Sequence, residues 1–222
     1  MQNHFQQELN ELKETLLRMG GQAEVSVNKA VKALVSRDDA LAEEAIQMDE
    51  DIDRLEMEID ERAIRLLSKA PLASDLRLIT VAMKGGHDLE RVGDEATTIA
   101  RRTLELNAEP ELKPATDIPS MAEKALDMLN AALDSFVHHD VEKARAVIPA
   151  DKEVDALNKQ LHRELADDMI GNPAHISRCL NLMTVSKSIE RIADHATNIA
   201  EEVVYLYEGR DIRHTAAAPA SA

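Results

Sequence analysis

Apolar residues near the start of the chain recur in steps of three and four. Leu9, Leu12, Leu16, Met19, Ala23, Val27, Ala30, Val31 and Leu34 form one stripe of a helix running from about Phe5 to Ser36. Gly20-Gly21 interrupts that stripe and is where such a helix can bend. The same periodicity predicts five more helices. Asp38 reads as the N-cap of a second, which runs to about Ala70 and stops before Pro71. Ser74 reads as the cap of a third, from Asp75 to about Asn107. A fourth starts near Pro119 and ends at His138-His139. Asp140 caps a fifth that reaches Ile170. Gly171-Asn172-Pro173 reads as a stop and restart, and a sixth helix runs from Ala174 to about Glu208. The Asn107–Pro119 stretch holds three prolines and no helical period, which marks a linker.

Three helices, a linker and three more helices suggest a duplication, and the residues carry one. Leu89-Glu90-Arg91-Val92-Gly93-Asp94-Glu95-Ala96-Thr97-Thr98-Ile99-Ala100 matches Ile189-Glu190-Arg191-Ile192-Ala193-Asp194-His195-Ala196-Thr197-Asn198-Ile199-Ala200. Asp49-Glu50-Asp51-Ile52-Asp53 lines up with Asp151-Lys152-Glu153-Val154-Asp155, and Pro71 with Pro173. The expected fold is therefore all-α: two tandem, duplicated three-helix bundles made of six long helices. The expected units are residues 1–108, a linker at 109–118, residues 119–209, and a disordered tail at 210–222.

Composition supports helices over sheets. Aromatics are 2% of the 222 residues, and Trp is absent, whereas strands favour β-branched and aromatic side chains. A net charge of −16 without a Lys/Arg run argues against nucleic acid and against an anionic membrane surface as the main partner. It suits multivalent cations wherever acids converge. The lone Cys179, among Ile176, Leu180 and Met183, reads as a small buried hydrophobe. No apolar run approaches a membrane span, and Met1-Gln2-Asn3-His4 does not lead into a signal peptide, so the expected location is the cytoplasm.

The repeat carries a chemical pattern. Each half has two acid pairs spaced i, i+4: Asp49/Asp53 with Glu90/Asp94, and Asp151/Asp155 with Glu190/Asp194. Residues four apart share a helix face. Where the second and third helices of a half pack side by side, four carboxylates meet at one seam. Crowded carboxylates call for raised pKa values, cationic neighbours or metal. Hard oxygen donors suit iron, manganese, magnesium, calcium or zinc, and nothing in the pattern chooses among them.

With 42 acidic residues in the chain, a single such pair is most often wet surface. It is the recurrence of both pairs in both halves that favours a site. Arg91 and Arg191, each following a Glu, could instead pair with the acids. Asn198 and Glu202 extend the Glu190/Asp194 ladder as additional candidate ligands, where the first half has Thr98 and Arg102, so the second site is expected to hold cations more strongly. His87 is a candidate to stand behind the ligands. His195 points away from Asp194, and His138-His139 suits a helix C-terminus. The Met stripes read as core filler.

These residues resemble the PhoU family over nearly the whole chain. The resemblance rests on Glu90-Arg91-Val92-Gly93-Asp94, on Glu190-Arg191-Ile192-Ala193-Asp194, and on Pro71-Leu72-Ala73-Ser74-Asp75-Leu76-Arg77. Met19-Gly20-Gly21 and Gly209-Arg210-Asp211-Ile212-Arg213-His214 add to it. It implies two similar three-helix bundles, frequent homodimers, and metal clusters held by the eight acids of the Glu/Asp-x-x-x-Asp motifs. It also implies a non-enzymatic regulator that acts with the phosphate ABC transporter, through its ATPase subunit, and with a membrane sensor histidine kinase. Such a regulator restrains phosphate uptake and the starvation response when phosphate is plentiful. One departure is Ala193, which stands where the first half has Gly93. A carboxylate-metal oxidoreductase or hydrolase is the competing reading, but a seam without accompanying His or Lys suits it poorly. A purely structural or cation-buffering bundle is the third.

Overall fold

The computed structural model describes residues 2–69, 72–112 and 117–213. Pro71, residues 113–116 of the linker and residues 214–222 of the expected tail lie outside the described residues. Those described form α1 (Gln2–Ser36), α2 (Asp39–Gln47), α3 (Asp49–Leu67), α4 (Ala73–Asn107), α5 (Ile118–His138), α6 (Val141–Gly171), a 3-10 turn (Pro173–His175) and α7 (Ile176–Glu208). No strand occurs among them, and the all-α expectation stands.

The second expected helix is divided at Met48. The Met48 N–H reaches Ala45 O at 3.3 Å, three residues back instead of four, and Asp51 N–H reaches Met48 O at 3.2 Å. This 3-10 tightening turns the rod without ending it. By contrast, α1 runs unbroken through Gly20-Gly21. Gly20 serves a close approach: a Cβ there would lie 2.7 Å from Leu133 Cδ1 of α5.

Two expected caps are present. Asp38 accepts from Leu41 N–H at 3.1 Å, and Asp140 accepts from Lys143 N–H at 2.9 Å. Ser74 is not a cap, because α4 begins at Ala73 and encloses it. Asp117 opens α5, accepting from Ser120 N–H at 3.4 Å and leaving Pro119 in the first turn. After Gly171 the chain makes the 3-10 turn, so α7 starts two residues later than the sequence suggested. His139 ends α5 in the left-handed region, φ 59°, with its ring 4.5 Å from that of Tyr207.

Helices α1, α3 and α4 pack on one another, with α2 against α1 and α4; α5, α6 and α7 do the same in the second half. The most extensive contact joins α4 to α7, across the halves. Along it Lys84 meets Glu202, Asp88 meets His195, and Glu95 meets Arg191, so the two helices run antiparallel. The buried apolar residues form one cluster through both halves, including Leu12, Ile52, Leu89 and Ile99 of the first and Met121, Leu161, Ile189 and Ile192 of the second. Each large side chain buried this way contributes about 1.5–3 kcal/mol. Ala96, Ala100, Ala193, Ala196 and Ala200 are all buried, and such small residues let long helices approach closely.

Candidate functional site

In each half a helix irregularity precedes the first acid. Met48 immediately precedes Asp49, the first residue of α3. Pro149, inside α6 and two residues before Asp151, lacks the N–H that would bond one turn back. Asp49, Glu50 and Asp51 thus occupy the first turn of α3, where negative charge is favoured.

The acid ladders of neighbouring helices do meet. Asp49 faces α4 beside Gly93: a Cβ there would lie 3.5 Å from Asp49 Oδ1. Burial lifts the Asp49 carboxyl above its ordinary range, and the charges of Asp53 and Asp94 lift it further. Glu90 is raised by burial, then by Asp94, with Glu56 adding to the effect. In the second seam the Asp151 carboxyl is pushed up to about 6 by burial and by Asp194, Asp155 and Glu190. Asp194 is raised by burial and Glu190, with Asp155 contributing. Asp49, Asp53, Glu90 and Asp94 therefore share one seam, and Asp151, Asp155, Glu190 and Asp194 another.

Several buried polar atoms of these acids and of two threonines make no hydrogen bond. Buried Asp49 Oδ1, Glu90 Oε2 and Asp151 Oδ1 accept no hydrogen bond within the chain, nor do Thr97 Oγ1 and Thr197 Oγ1. Thr97 stands close enough to Asp49 to draw its carboxyl down somewhat, although its hydroxyl is not aligned for a hydrogen bond. Thr97 and Thr197 hold equivalent places in the repeat, and the place of Thr97 beside Asp49 was not read from sequence. The signal was present in the repeated Ala-Thr of Ala96-Thr97 and Ala196-Thr197. Orphaned carboxylate oxygens in an acidic seam fit a cation, so the donor set suits hard metal ions.

Cationic side chains enter the seams: Arg91 does so as its place after Glu90 allowed, whereas the two lysines were not expected. Arg91 lies 3.4 Å from Glu90 and 3.1 Å from Asp94. Lys159 lies 2.9 Å from Asp155, and Lys187 pairs with Glu190. Arg191 leaves its seam for Glu95 of α4, at 3.1 Å.

Asn198 and Glu202 do not join the second seam. Asn198 donates to Asp88 at 3.1 Å, and Glu202 holds Lys84 and Arg213. The reason is helical drift: four residues turn the helix by about 400°, so each step of four drifts about 40°. Three such steps carry the ladder from α6 round to α4. The expected advantage of the second site, which rested on Glu202, loses its basis. His195 is also turned to α4, 2.9 Å from Asp88. His87 stands nearer the acids than expected. Among the described residues, Glu56, His87 and Glu90 form the one group whose ligand atoms all lie within 4.8 Å of one another.

The seam occurs once in each half, and a family match covers each half as well. Residues 16–103 and 118–203 each match the PhoU domain. The chain belongs to the PhoU family. Among curated relatives, the phosphate-specific transport system accessory protein PhoU homolog of Pseudomonas putida is 43% identical over 95% of this chain and 83% of its own length. The homolog of Aquifex aeolicus is 42% identical over 93% of this chain and 94% of its own. Two solved PhoU structures are similar. That of Pseudomonas aeruginosa has a TM-score of 0.90 and 42% identity, covering 93% of this chain and all of that one. The phosphate transport system regulatory protein PhoU of Streptococcus pneumoniae has a TM-score of 0.88 and 32% identity, covering 94% and 99%. PhoU proteins are accessory proteins, and this one is not an enzyme. Among the described residues no helix is long and apolar enough to cross a membrane.

Proposed function

We propose that this PhoU-family chain is an accessory regulator of phosphate transport that restrains phosphate uptake and the phosphate-starvation response when phosphate is plentiful. The observation that carries this is the PhoU-domain match in both halves, alongside relatives named for the phosphate-specific transport system that align with nearly the whole chain. In this reading the chain works in the cytoplasm as a homodimer. It docks on the transporter's ATPase subunit and on a membrane sensor histidine kinase, linking transport to signalling. The two seams hold divalent or trivalent cations (iron, manganese, magnesium or zinc) and set the conformation in which the partners are met. Crowded, partly buried carboxylates and orphaned oxygens support that role.

The test is binding of the purified chain to the ATPase subunit and to the kinase sensor domain, with and without Glu190→Gln/Asp194→Asn. The wild-type chain is expected to bind both, and the variant to bind more weakly. A wild-type chain that binds neither ends the adaptor reading. Undiminished binding by the variant, with partner binding intact, removes the seams from it.

A further inference from the structure

Glu56 of α3 and His87 and Glu90 of α4 stand together where these antiparallel helices cross. His87 Nδ1 lies 3.3 Å from Glu56 Oε1, and all three residues offer ligand atoms within 4.8 Å of one another. Two ligands bound about 2.0–2.1 Å from one tetrahedral ion sit about 3.3 Å apart. The His87–Glu56 spacing is therefore already that of ligands sharing an ion. Glu90 Oε2 is buried and accepts no hydrogen bond, with Arg91 Nε 3.4 Å away. Glu56 and His87 also line an open cleft of about 510 Å³ with Lys84, Asp88, Glu202 and Arg213, so water can complete a coordination sphere.

The internal duplication gives an independent indication of what belongs there. In the repeat register, Glu56, His87 and Glu90 correspond to Asn158, Lys187 and Glu190. In the second half the Lys187 ammonium sits on Glu190 Oε2, the counterpart of Glu90 Oε2, which accepts no hydrogen bond and has only the more distant Arg91 guanidinium. Asn158 is turned to Ser186, whose hydroxyl donates to its Oδ1 at 2.5 Å. The second half thus carries a covalently attached cation on this oxygen. The first half has an imidazole and a second carboxylate where the second has Lys187 and Asn158, with Arg91 Nε 3.4 Å from Glu90 Oε2.

We propose that Glu56, His87 and Glu90 form a mononuclear site for a borderline divalent cation of the zinc and cobalt class, present in the first half only. One imidazole nitrogen with two carboxylates is a donor set suited to zinc, whereas the all-oxygen seams suit harder ions. Glu90 belongs to both, so an ion in this site holds the end of the first seam that is nearest the cleft. The site goes beyond the regulatory reading and does not depend on it.

The experiment uses the full chain stripped of metal. Zn²⁺ is titrated against a chromophoric chelator, and Co²⁺ is used for its visible spectrum, in excess Mg²⁺ to fill the seams. The wild type is expected to bind one Co²⁺ with a spectrum showing a nitrogen ligand. His87→Ala and Glu56→Gln should each weaken Zn²⁺ by at least about tenfold, the scale on which metal-site changes act. His87→Lys should abolish it, its ammonium taking the ion's place as Lys187 does in the second half. Lys187→Ala should leave it unchanged. His87 and Glu56 reach solvent, so these variants should keep the wild-type circular dichroism and melting curve. Unaltered Zn²⁺ affinity in His87→Ala, or a spectrum without nitrogen ligation, overturns the proposal. So does a single site lost only with Asp49→Asn/Asp53→Asn. No partner protein is present, so failure here leaves the regulatory reading standing.

Discussion

Lys84 Nζ donates to both carboxylate oxygens of Glu202, at 2.9 and 3.1 Å, and so ties α4 of the first half to α7 of the second. The Glu202 side chain is only 6% exposed, and Arg213 is its other cation, at 3.2 Å. Replacing Lys84 by Met leaves a buried carboxylate with one partner. The expected loss is about 1–3 kcal/mol, read from urea unfolding. Lys84→Met/Glu202→Met should recover part of it, because an apolar pair needs no compensation. A Lys84→Met variant as stable as wild type would show that Arg213 alone suffices.

The second seam should make the metal-free protein sensitive to mild pH. Asp151 has its carboxyl raised from 3.8 to about 6 by burial and its acidic neighbours. Between these values the folded chain binds more protons than the unfolded one, so this group's contribution to stability falls as pH rises through that window. Asp151→Asn should therefore gain in melting temperature over the wild type as pH goes from about 4 to about 6, and hold the gain above. Added Mg²⁺ or Mn²⁺ should shrink it. A difference that is flat with pH would mean that Asp151 is ionised freely.

Gly93 and Ile52 are matched in size. A Cβ on Gly93 would lie 3.0 Å from Ile52 Cδ1 and 3.3 Å from Ile52 Cγ2. The equivalent pair in the second half is Ala193 and Val154: one position gains a methyl and the other loses one. Gly93→Ala alone should destabilise by about 1 kcal/mol, overpacking outweighing the gain in helix propensity. Adding Ile52→Val should recover it, with a coupling of at least about 0.5 kcal/mol. Strict additivity in the double-mutant cycle would mean that Ile52 simply moves aside.

Cys179 is buried, and burial followed by its contact with Asp168 pushes its thiol up to about 11. It should resist a thiol reagent at pH 8 in the folded chain and react fully in denaturant. Rapid labelling of the native protein would contradict its place in the core.

Much of this was legible along the chain because helices are local. The stripe from Leu9 to Ala30, the Asp38 and Asp140 caps and the end of α7 before Gly209 follow from period and terminus chemistry. The turn at Met48 was not legible, since no Gly or Pro marks it and the backbone stays near helical values. Ser74 misled because a good capping residue also sits comfortably inside a first turn. The acid pairs were visible from their repetition, and the α3–α4 and α6–α7 crossings put them on facing helices, near enough to raise one another's pKa, although among the described residues no three of the seam acids bring ligand atoms within 4.8 Å of one another. The i, i+4 rule then failed at Asn198 and Glu202, since it describes a straight ladder and the helix surface drifts.

By itself the sequence determined that this chain is helical, duplicated, acidic and of the PhoU family, since these properties depend on residue order and composition alone. Only the tertiary structure decided which side chains became neighbours: Lys84 with Glu202, Arg191 with Glu95, His87 with Glu56. The rotation of each helix about its axis is set by how α4 and α7 bury their small apolar faces against each other. A rotation of a few tens of degrees moves a carboxylate from one partner helix to the next.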